Sequence, residues 1–273
     1  MPTPEPDQTL KASLFQLLHQ RPRAFLLPNP WDAGTTRLLT SLGFEAVATT
    51  SLGLANMLGR KRARRENVLE NCRATCAATP LPVNADLENC YADEPQEAAS
   101  MIRMAYECGA VGASIEDFTG DDRVPVYDFD HAVERVHAAV EVARSLPVPF
   151  TLTARAENLL HGIVDLDDTI RRLKAFESVG ADVLYAPGLT NLDDMRTVVS
   201  SVGKPVNVVM GFADLSITLD QLASIGVRRV SIGGALSRLA LQRFLDGARE
   251  MLDGQFGFLR NMAGISELHE RFQ

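Results

Sequence analysis

The chain has 273 residues, of which 46% are hydrophobic and 23% are charged, a composition typical of a globular protein with a large buried core. Its formal net charge is -8 at pH 7, because 27 Lys and Arg residues stand against 35 Asp and Glu residues. An acidic chain is poorly suited to general nucleic-acid or anionic-membrane binding, so we expect neither a nucleic acid nor a membrane as a partner.

The N-terminal segment and the cysteines favour a cytoplasmic protein. The first ten residues, MPTPEPDQTL, are polar and lack the apolar stretch of a secretory signal. No apolar run approaches the length of about 20 residues that a membrane helix needs. We therefore expect Cys72, Cys76, Cys90 and Cys108 to be reduced thiols. Cys72 and Cys76 would share a helix face, where packing is favoured over a metal pair because no second ligand pair with zinc-site spacing follows.

In chain order, residues 11–19 predict an N-terminal helix, and one local pattern then repeats. A short apolar run ends in a small or polar residue and is followed by a loop and a longer segment of helical periodicity. The runs are rich in β-branched residues, as strands buried on both faces are. The runs span residues 24–28, 46–51, 82–87, 112–117, 150–156, 182–187, 205–210 and 229–234.

The segments between these runs predict helices, for example at residues 95–108, 129–145 and 167–179. A glycine separates helix from strand in four cases, because glycine accepts the left-handed conformation that ends a helix. Alternation of strand and helix predicts a parallel sheet, and eight such units favour a closed (β/α)8 TIM barrel over an open sheet. The four helix-ending glycines are Gly43, Gly109, Gly180 and Gly226.

The chain contains no Pro-rich or Ser-rich linker, so we predict one domain over residues 1–273 with its barrel core at about 24–252. After the last strand, residues 235–252 predict a helix, and residues 255–273 predict a further helical extension. The apolar residues of this extension have no place in a barrel that is already complete. They therefore predict packing on a partner subunit, and hence a homo-oligomer.

Polar residues collect at the carboxyl ends of the predicted strands, where TIM barrels carry their chemistry. Asp86 and Glu88 follow the third strand, would share a face if that strand continued through them, and can meet Glu116 of the fourth. Three carboxylates in a small space predict a divalent cation, and oxygen ligands without nearby His favour Mg2+ or Mn2+ over zinc. Arg155 of the fifth strand suits a carboxylate or phosphate, so the set predicts a small anionic ligand such as a 2-oxoacid. The alternative is structural, with acids that cap helices and an Arg155 that only neutralises Glu157 or Glu116.

At five segments the chain resembles the isocitrate lyase / phosphoenolpyruvate mutase superfamily, over roughly residues 24–240. The resemblance implies a (β/α)8 barrel, Mg2+ or Mn2+, 2-oxoacid ligands, and chemistry at a C–C or C–P bond next to an enolate. It also implies a dimer or tetramer. The segments are NPWDAGTTRLLTSLGFEAVATTSLGLANMLG, PVNADLENCYAD, GAVGASIEDF, LTARAEN and GADVLYAPG.

Position by position, the resemblance implies roles for individual residues. Asp86 matches the direct metal ligand, whereas Glu88 and Glu116 match acids that hold the metal through water. Arg155 matches the arginine that grips the substrate, and with Asp86 and Glu116 it forms the implied catalytic set. The implied substrate-binding set is completed by Thr50, Ser51 and Leu52 after the second strand, and, by position alone, by Asp32, Asn158 and Asn207.

The chain also departs from the family. Its lyases carry a KKCGH-type loop after the fourth strand, whereas this chain reads EDFTGDDRVPVYDFD, without Cys, Lys or His before His131. Cys90 belongs to another loop. His161 could be a proton donor, but as a lone loop histidine it is expected to be incidental, so the identity of the proton donor stays open. The gating segment LGRKRARREN lacks an acid before Glu66, where relatives that act on phosphonates have an Asp. Its basic residues are expected to be a solvated helix start rather than an anion-attracting patch.

We therefore predict a Mg2+-dependent enzyme that cleaves a C–C bond next to a 2-oxo or 2-hydroxy carboxylate through a metal-stabilised enolate. It would act as a decarboxylase, lyase or hydrolase on a small dicarboxylate. Two alternatives stay open: a C–P bond enzyme of the phosphonopyruvate hydrolase or phosphoenolpyruvate mutase type, and a 2-oxoacid-binding protein with little catalytic activity.

Overall fold

Strands and helices alternate along the chain in the structure, a computed structural model that describes residues 6–272. The strands are β1 (Phe25–Leu27), β2 (Val47–Ala48), β3 (Val83–Asp86), β4 (Gly112–Glu116), β5 (Thr151–Arg155), β6 (Val183–Tyr185), β7 (Val206–Val209) and β8 (Arg229–Ser231). The helices are α1 (Pro6–Gln20), α2 (Ala33–Ser41), α3 (Ser51–Met57), α4 (Arg65–Ala77), α5 (Pro95–Glu107), α6 (Phe129–Ser145), α7 (Leu166–Ser178), α8 (Leu192–Ser201), α9 (Leu219–Ser224), α10 (Ala235–Leu252) and α11 (Ile265–Arg271), with a 3-10 helix, η1, at Gly257–Asn261.

The eight strands form one parallel sheet in the order β1-β8-β7-β6-β5-β4-β3-β2. Its two end strands are joined just beyond β1, where the Ala48 amide donates to the Pro28 carbonyl at 3.0 Å and the Asn29 side chain donates to the Ala48 carbonyl at 3.3 Å. The sheet is therefore a nearly closed barrel with helices between its strands, and the prediction of a (β/α)8 TIM barrel is confirmed.

The glycines predicted to end helices adopt the left-handed conformation. Gly43, Gly109, Gly180 and Gly226 have φ of +85°, +100°, +106° and +96°. A side chain would strain this backbone, so these glycines set where each helix stops and the next strand begins.

Helix α1 packs against the amino ends of the strands, which confirms the predicted N-terminal helix and extends it toward the N-terminus. Phe15 is fully buried, and its ring meets the rings of His19 and Phe25 edge-on at 4.8 and 6.4 Å. A Cβ on Gly112 would come within 2.8 Å of the Phe15 ring, so β4 needs a glycine there. Burial of one Phe side chain stabilises the fold by roughly 1.5–3 kcal/mol.

The C-terminal helices lie where the sequence predicts them, but they leave much apolar surface exposed to solvent. Helix α10 packs mainly on α3 and η1, and α11 packs on α2. Phe244 and Leu252 of α10 are 72% and 88% exposed. On the barrel wall, a groove of about 420 Å³ runs along β1, where Leu26 is 42% exposed next to Leu42 and Phe44.

None of the helices within residues 6–272 combines the length and the apolar character needed to cross a membrane. The four cysteines are free thiols, three of them buried.

Candidate active site

The carboxyl ends of three neighbouring strands bring the predicted polar residues together. Asp86 ends β3, Glu116 ends β4 and Arg155 ends β5. The sheet register places Glu116 directly beside Arg155 and Asp86 beside Ser114, so the three longer side chains all stand near the carboxyl edge of the barrel.

Arg155 is the centre of this site. Its Nη1 donates to Asp86 Oδ1 at 3.0 Å, its Nη2 lies 3.1 Å from Glu116 Oε2, and its Nε donates to Glu157 Oε1 at 2.7 Å. Burial alone would lower the pKa of Arg155, but the charges of Glu116, Glu157 and Asp86, with Tyr185, outweigh it and raise that pKa well above its usual value. Arg155 is therefore a permanent positive charge in a setting that is largely closed to water.

Asp86 is held in place by the start of α3. Both the amide and the hydroxyl of Ser51 donate to Asp86 Oδ2 at 2.8 Å, and the Asp86 amide donates to the Thr49 hydroxyl at 2.9 Å. Thr50 caps the helix by accepting from the Gly53 amide. In this arrangement the Ser51 amide is directed at Asp86, so it orients that carboxylate.

Glu88 departs from the strand geometry considered in the sequence. β3 ends at Asp86, and Glu88 lies in a turn with φ of +52°, followed by Cys90 and Tyr91 at +59° and +57°. The alternation of a strand therefore does not apply to Asp86 and Glu88. Three non-glycine residues in the left-handed region are costly and persist only where the surrounding structure supports them.

The support for this turn comes from the basic segment after α3. Arg62 forms an ion pair with Glu88 through its Nε, and its Nη2 donates to Asn89 Oδ1 at 2.8 Å. Asn89 in turn donates to the Thr119 carbonyl at 3.1 Å. Burial raises the pKa of Glu88, although Arg62 acts in the opposite direction. The expectation that this basic run is only a solvated helix start is therefore wrong for Arg62, because the turn places an acid within its reach.

Burial also governs the protonation of two acids at this site, Glu116 and Asp117. It raises the pKa of Glu116 well above its usual value; Arg155 opposes this rise, and Glu157, Asp86 and Glu88 add to it. Burial raises the pKa of Asp117 to about 7, despite its hydrogen bonds from the Glu157 amide and from Arg172. Burial is therefore the main influence on the protonation of these two acids, and the nearby charges act second.

One cavity of about 390 Å³ opens at these strand ends, within the size range of small-molecule sites. Its lining includes the predicted metal-ligand set (Asp86, Glu88 and Glu116), Arg155, and the predicted substrate-binding residues Thr50, Ser51, Leu52 and Asn207.

Two predicted substrate-binding residues are not brought to the cavity. Asp32 is the N-cap of α2, where its Oδ1 accepts from the Thr35 amide at 2.7 Å and hydroxyl at 2.9 Å. Asn158 is fully buried and donates to the Asp165 carbonyl and the Thr169 hydroxyl at 2.9 and 2.7 Å. Both polar groups are used inside the fold, and neither residue lines the cavity.

Several cavity residues were missed or undervalued in the sequence. Arg62, Phe118 and His161 reach the cavity from loops, and Arg229 reaches it from β8. The segment ARAENLLHG contained the signal for His161, since it stands four residues after Glu157 in the turn that follows β5. Arg229 begins β8 rather than ending it, so its position in the sequence does not mark it as a residue of the carboxyl ends.

The oxygen donors at the cavity suit a hard divalent cation. Burial raises the pKa of Glu116 most, and the charges of Asp86 and Glu88 add to that rise. Within residues 6–272, no group of three or more His, Cys, Asp or Glu side chains is arranged to hold a metal ion by itself. A site with few direct protein ligands and several waters, as Mg2+ prefers, is compatible with both observations.

Comparisons with known proteins agree with the geometry. The family model described as phosphoenolpyruvate phosphomutase matches residues 15–252. The chain is similar to a proposed lyase or mutase of Burkholderia cenocepacia J2315, with a TM-score of 0.96 and 52% identity, over 98% of this chain and 97% of that one. An oxaloacetate decarboxylase of Bradyrhizobium diazoefficiens is 27% identical over 82% of this chain and 79% of its own length. A 2-methylisocitrate lyase of Escherichia coli is 28% identical over 66% of this chain and 62% of its own length.

Proposed function

Because the chain belongs to the phosphoenolpyruvate phosphomutase family, we propose that it is a Mg2+-dependent enzyme that cleaves a C–C bond one carbon away from the 2-oxo group of a small dicarboxylate, which leaves an enolate. The family membership confirms the resemblance found in the sequence. Oxaloacetate is the reference substrate, since a relative over most of the chain is an oxaloacetate decarboxylase.

The observation that carries this proposal is the position of Arg155, held by three carboxylates at the strand ends and facing a small cavity. Its guanidinium has more N–H donors than these three contacts use, so N–H groups remain to bind a ligand carboxylate or a developing oxyanion. Because the three carboxylates fix its orientation, Arg155 needs no reorganisation when negative charge develops on the substrate.

The reaction on oxaloacetate breaks the C3–C4 bond, releases CO2 and leaves the enolate of pyruvate, which gains a proton at C3 to give pyruvate. Arg155 would bind the substrate and stabilise the enolate oxygen. Asp86, with Glu88 and Glu116 acting through water, would hold Mg2+ or Mn2+, and a bound metal would supply a further positive charge to the 2-oxo group. Ser51 orients Asp86 for that role.

A turnover assay tests the proposal. The purified protein is incubated with oxaloacetate and Mg2+ or Mn2+, and pyruvate is measured with a coupled dehydrogenase. We expect turnover that disappears in EDTA and that falls by about 10²-fold or more in Arg155→Lys, because a lysine cannot reproduce the planar fork. A turnover that is insensitive to EDTA, or its absence with either metal, would contradict the proposal.

Two further arms separate the alternatives. Turnover of phosphonopyruvate but not of oxaloacetate or 2-methylisocitrate would favour a C–P bond enzyme. Binding of 2-oxoglutarate or pyruvate in calorimetry, lost in Asp86→Ala and without turnover of any substrate, would favour a 2-oxoacid-binding protein.

We also propose that the chain is a homo-oligomer, formed through α10 and the segment after it. Phe244 and Leu252 present apolar surface on α10, while the groove along β1 with Leu26 and Phe44 is left open on the same chain. A second copy would cover both surfaces, and burial of apolar area of this kind is the main driving force of association. A cytoplasmic location stays a proposal that rests on composition.

A further inference from the structure

His161 lies in the turn after β5 and lines the same cavity as Arg155. Its ring stacks face to face on the Phe118 ring, with centroids 3.9 Å apart and an interplanar angle of 10°. Its Nε2 lies 3.9 Å from Glu157 Oε2, and the other oxygen of Glu157 accepts from Arg155 Nε at 2.7 Å. One carboxylate therefore separates the imidazole from the guanidinium at the centre of the site.

The turn that carries His161 is held firmly. The His161 amide donates to the Glu157 carbonyl at 3.1 Å, and the Ile163 amide donates to the Asn158 carbonyl at 2.9 Å. The buried Asn158 side chain ties the same turn to α7 through Thr169. Asn158 therefore supports the site without contacting a ligand, because it fixes the turn that presents His161.

Four of the other ionisable groups of the cavity are less suited to giving a proton to carbon. Glu116 and Glu157 are engaged in ion pairs with Arg155. Arg155 itself is excluded as a donor, because an arginine does not release its proton in proteins. Burial raises the pKa of Tyr185, so the phenol keeps its proton. An imidazole is a common proton donor in catalysis, and the side chain of His161 is 20% exposed, so water can reach it to replace the proton it gives.

We propose that His161 is the general acid that protonates the enolate carbon, a role that rests on the proposed C–C cleavage. After CO2 leaves, the electron pair of the enolate forms the new C3–H bond with the proton on His161, and the neutral imidazole then takes a proton from solvent. Phe118 holds the plane of the imidazole ring by stacking on it, so the proton is delivered to one face of the enolate.

The experiment uses His161→Phe, which keeps an aromatic ring to stack on Phe118 but has no proton to give. His131→Phe is the matched control: His131 also packs on an aromatic ring, that of Tyr127 at 5.2 Å, but does not line the cavity. Folding is checked by thermal melting, and the binding pocket by calorimetry with oxalate, a stable mimic of the enolate. We expect both variants to fold and to bind oxalate as the wild type does.

The decisive readouts are kcat and the stereochemistry of protonation. With 3-methyloxaloacetate in ²H₂O, the product 2-oxobutyrate is trapped by reduction, and the configuration at its deuterated C3 is measured. We expect a kcat about 10²–10³-fold lower in His161→Phe, the usual contribution of a general acid, and loss of facial selectivity in the residual product. His131→Phe should retain both.

The remaining outcomes would overturn the proposal. If His161→Phe keeps kcat within about threefold of the wild type, or is slow but still protonates one face, the proton comes from another group. Lost oxalate binding in His161→Phe would assign the residue to ligand binding instead of proton transfer. A wild type that binds oxalate but turns over no substrate would refute the proposed reaction itself, and this role with it.

Discussion

An Arg155→Met substitution should destabilise the metal-free protein by about 3–5 kcal/mol at pH 8, the usual cost of removing one partner of a buried ion pair. The side chain of Arg155 is 14% exposed and contacts Asp86, Glu116 and Glu157, of which Glu157 is 1% exposed. Methionine fills a similar volume without charge. The loss therefore reflects the carboxylates that are left unpaired rather than a cavity.

The same substitution should make stability depend more steeply on pH. Burial already raises the pKa of Glu116, and without Arg155 that pKa rises further. A carboxyl whose folded pKa is raised above its unfolded value binds more protons in the folded state, so its contribution to stability falls as pH rises above the unfolded value. The variant should therefore recover part of its loss between pH 8 and pH 6, because each unit of pKa shift corresponds to about 1.4 kcal/mol.

The assay is denaturant unfolding in EDTA at both pH values, with thermal melting as a second probe, for which the expected loss corresponds to roughly 10 °C. Arg144→Met is the matched control: Arg144 pairs with Asp182 at 2.7 Å on the surface and is 46% exposed, so it should cost at most about 1 kcal/mol. A loss below about 1 kcal/mol in Arg155→Met, or an equal loss at both pH values, would refute the reasoning.

Three further substitutions test other parts of the structure. Asp86→Asn should abolish Mg2+-dependent oxalate binding in calorimetry while the fold is retained, and unchanged binding would remove Asp86 from the metal site. Burial and Arg229 lower the pKa of His19 in the folded protein to about 3, so the wild type loses stability as pH falls below the pKa of a histidine in the unfolded chain. Between pH 7.5 and pH 5, the unfolding free energy of His19→Gln should fall by about 2 kcal/mol less than that of the wild type, as measured by denaturant unfolding. Equal losses in the two proteins would contradict this. Phe244→Glu should lower the oligomeric state in light scattering, whereas Val164→Glu, at a residue that is 90% exposed between β5 and α7, should not. Two variants of equal mass would exclude α10 as the interface.

The amino-acid sequence determined the barrel and the outline of its site. The strands, the helices and the glycines between them follow from local patterns, because hydrophobic periodicity and the need for a left-handed residue act within a few positions of the chain. Asp86, Glu116 and Arg155 could be placed together for the same reason, since parallel strands bring their carboxyl ends to one edge and each of these residues ends a strand.

The tertiary structure alone decided how charges pair and where loops point. Arg62 pairs with Glu88 across 26 positions of sequence because a turn of left-handed residues brings the two together, and no local pattern predicts such a turn from non-glycine residues. Asp32 and Asn158 had the right chemistry for a ligand but are used as a cap and a loop anchor, while His161 is turned into the cavity by that anchor. Periodicity predicts elements because it is local, whereas ion pairs and ring stacks depend on distances through space that only the packed chain sets.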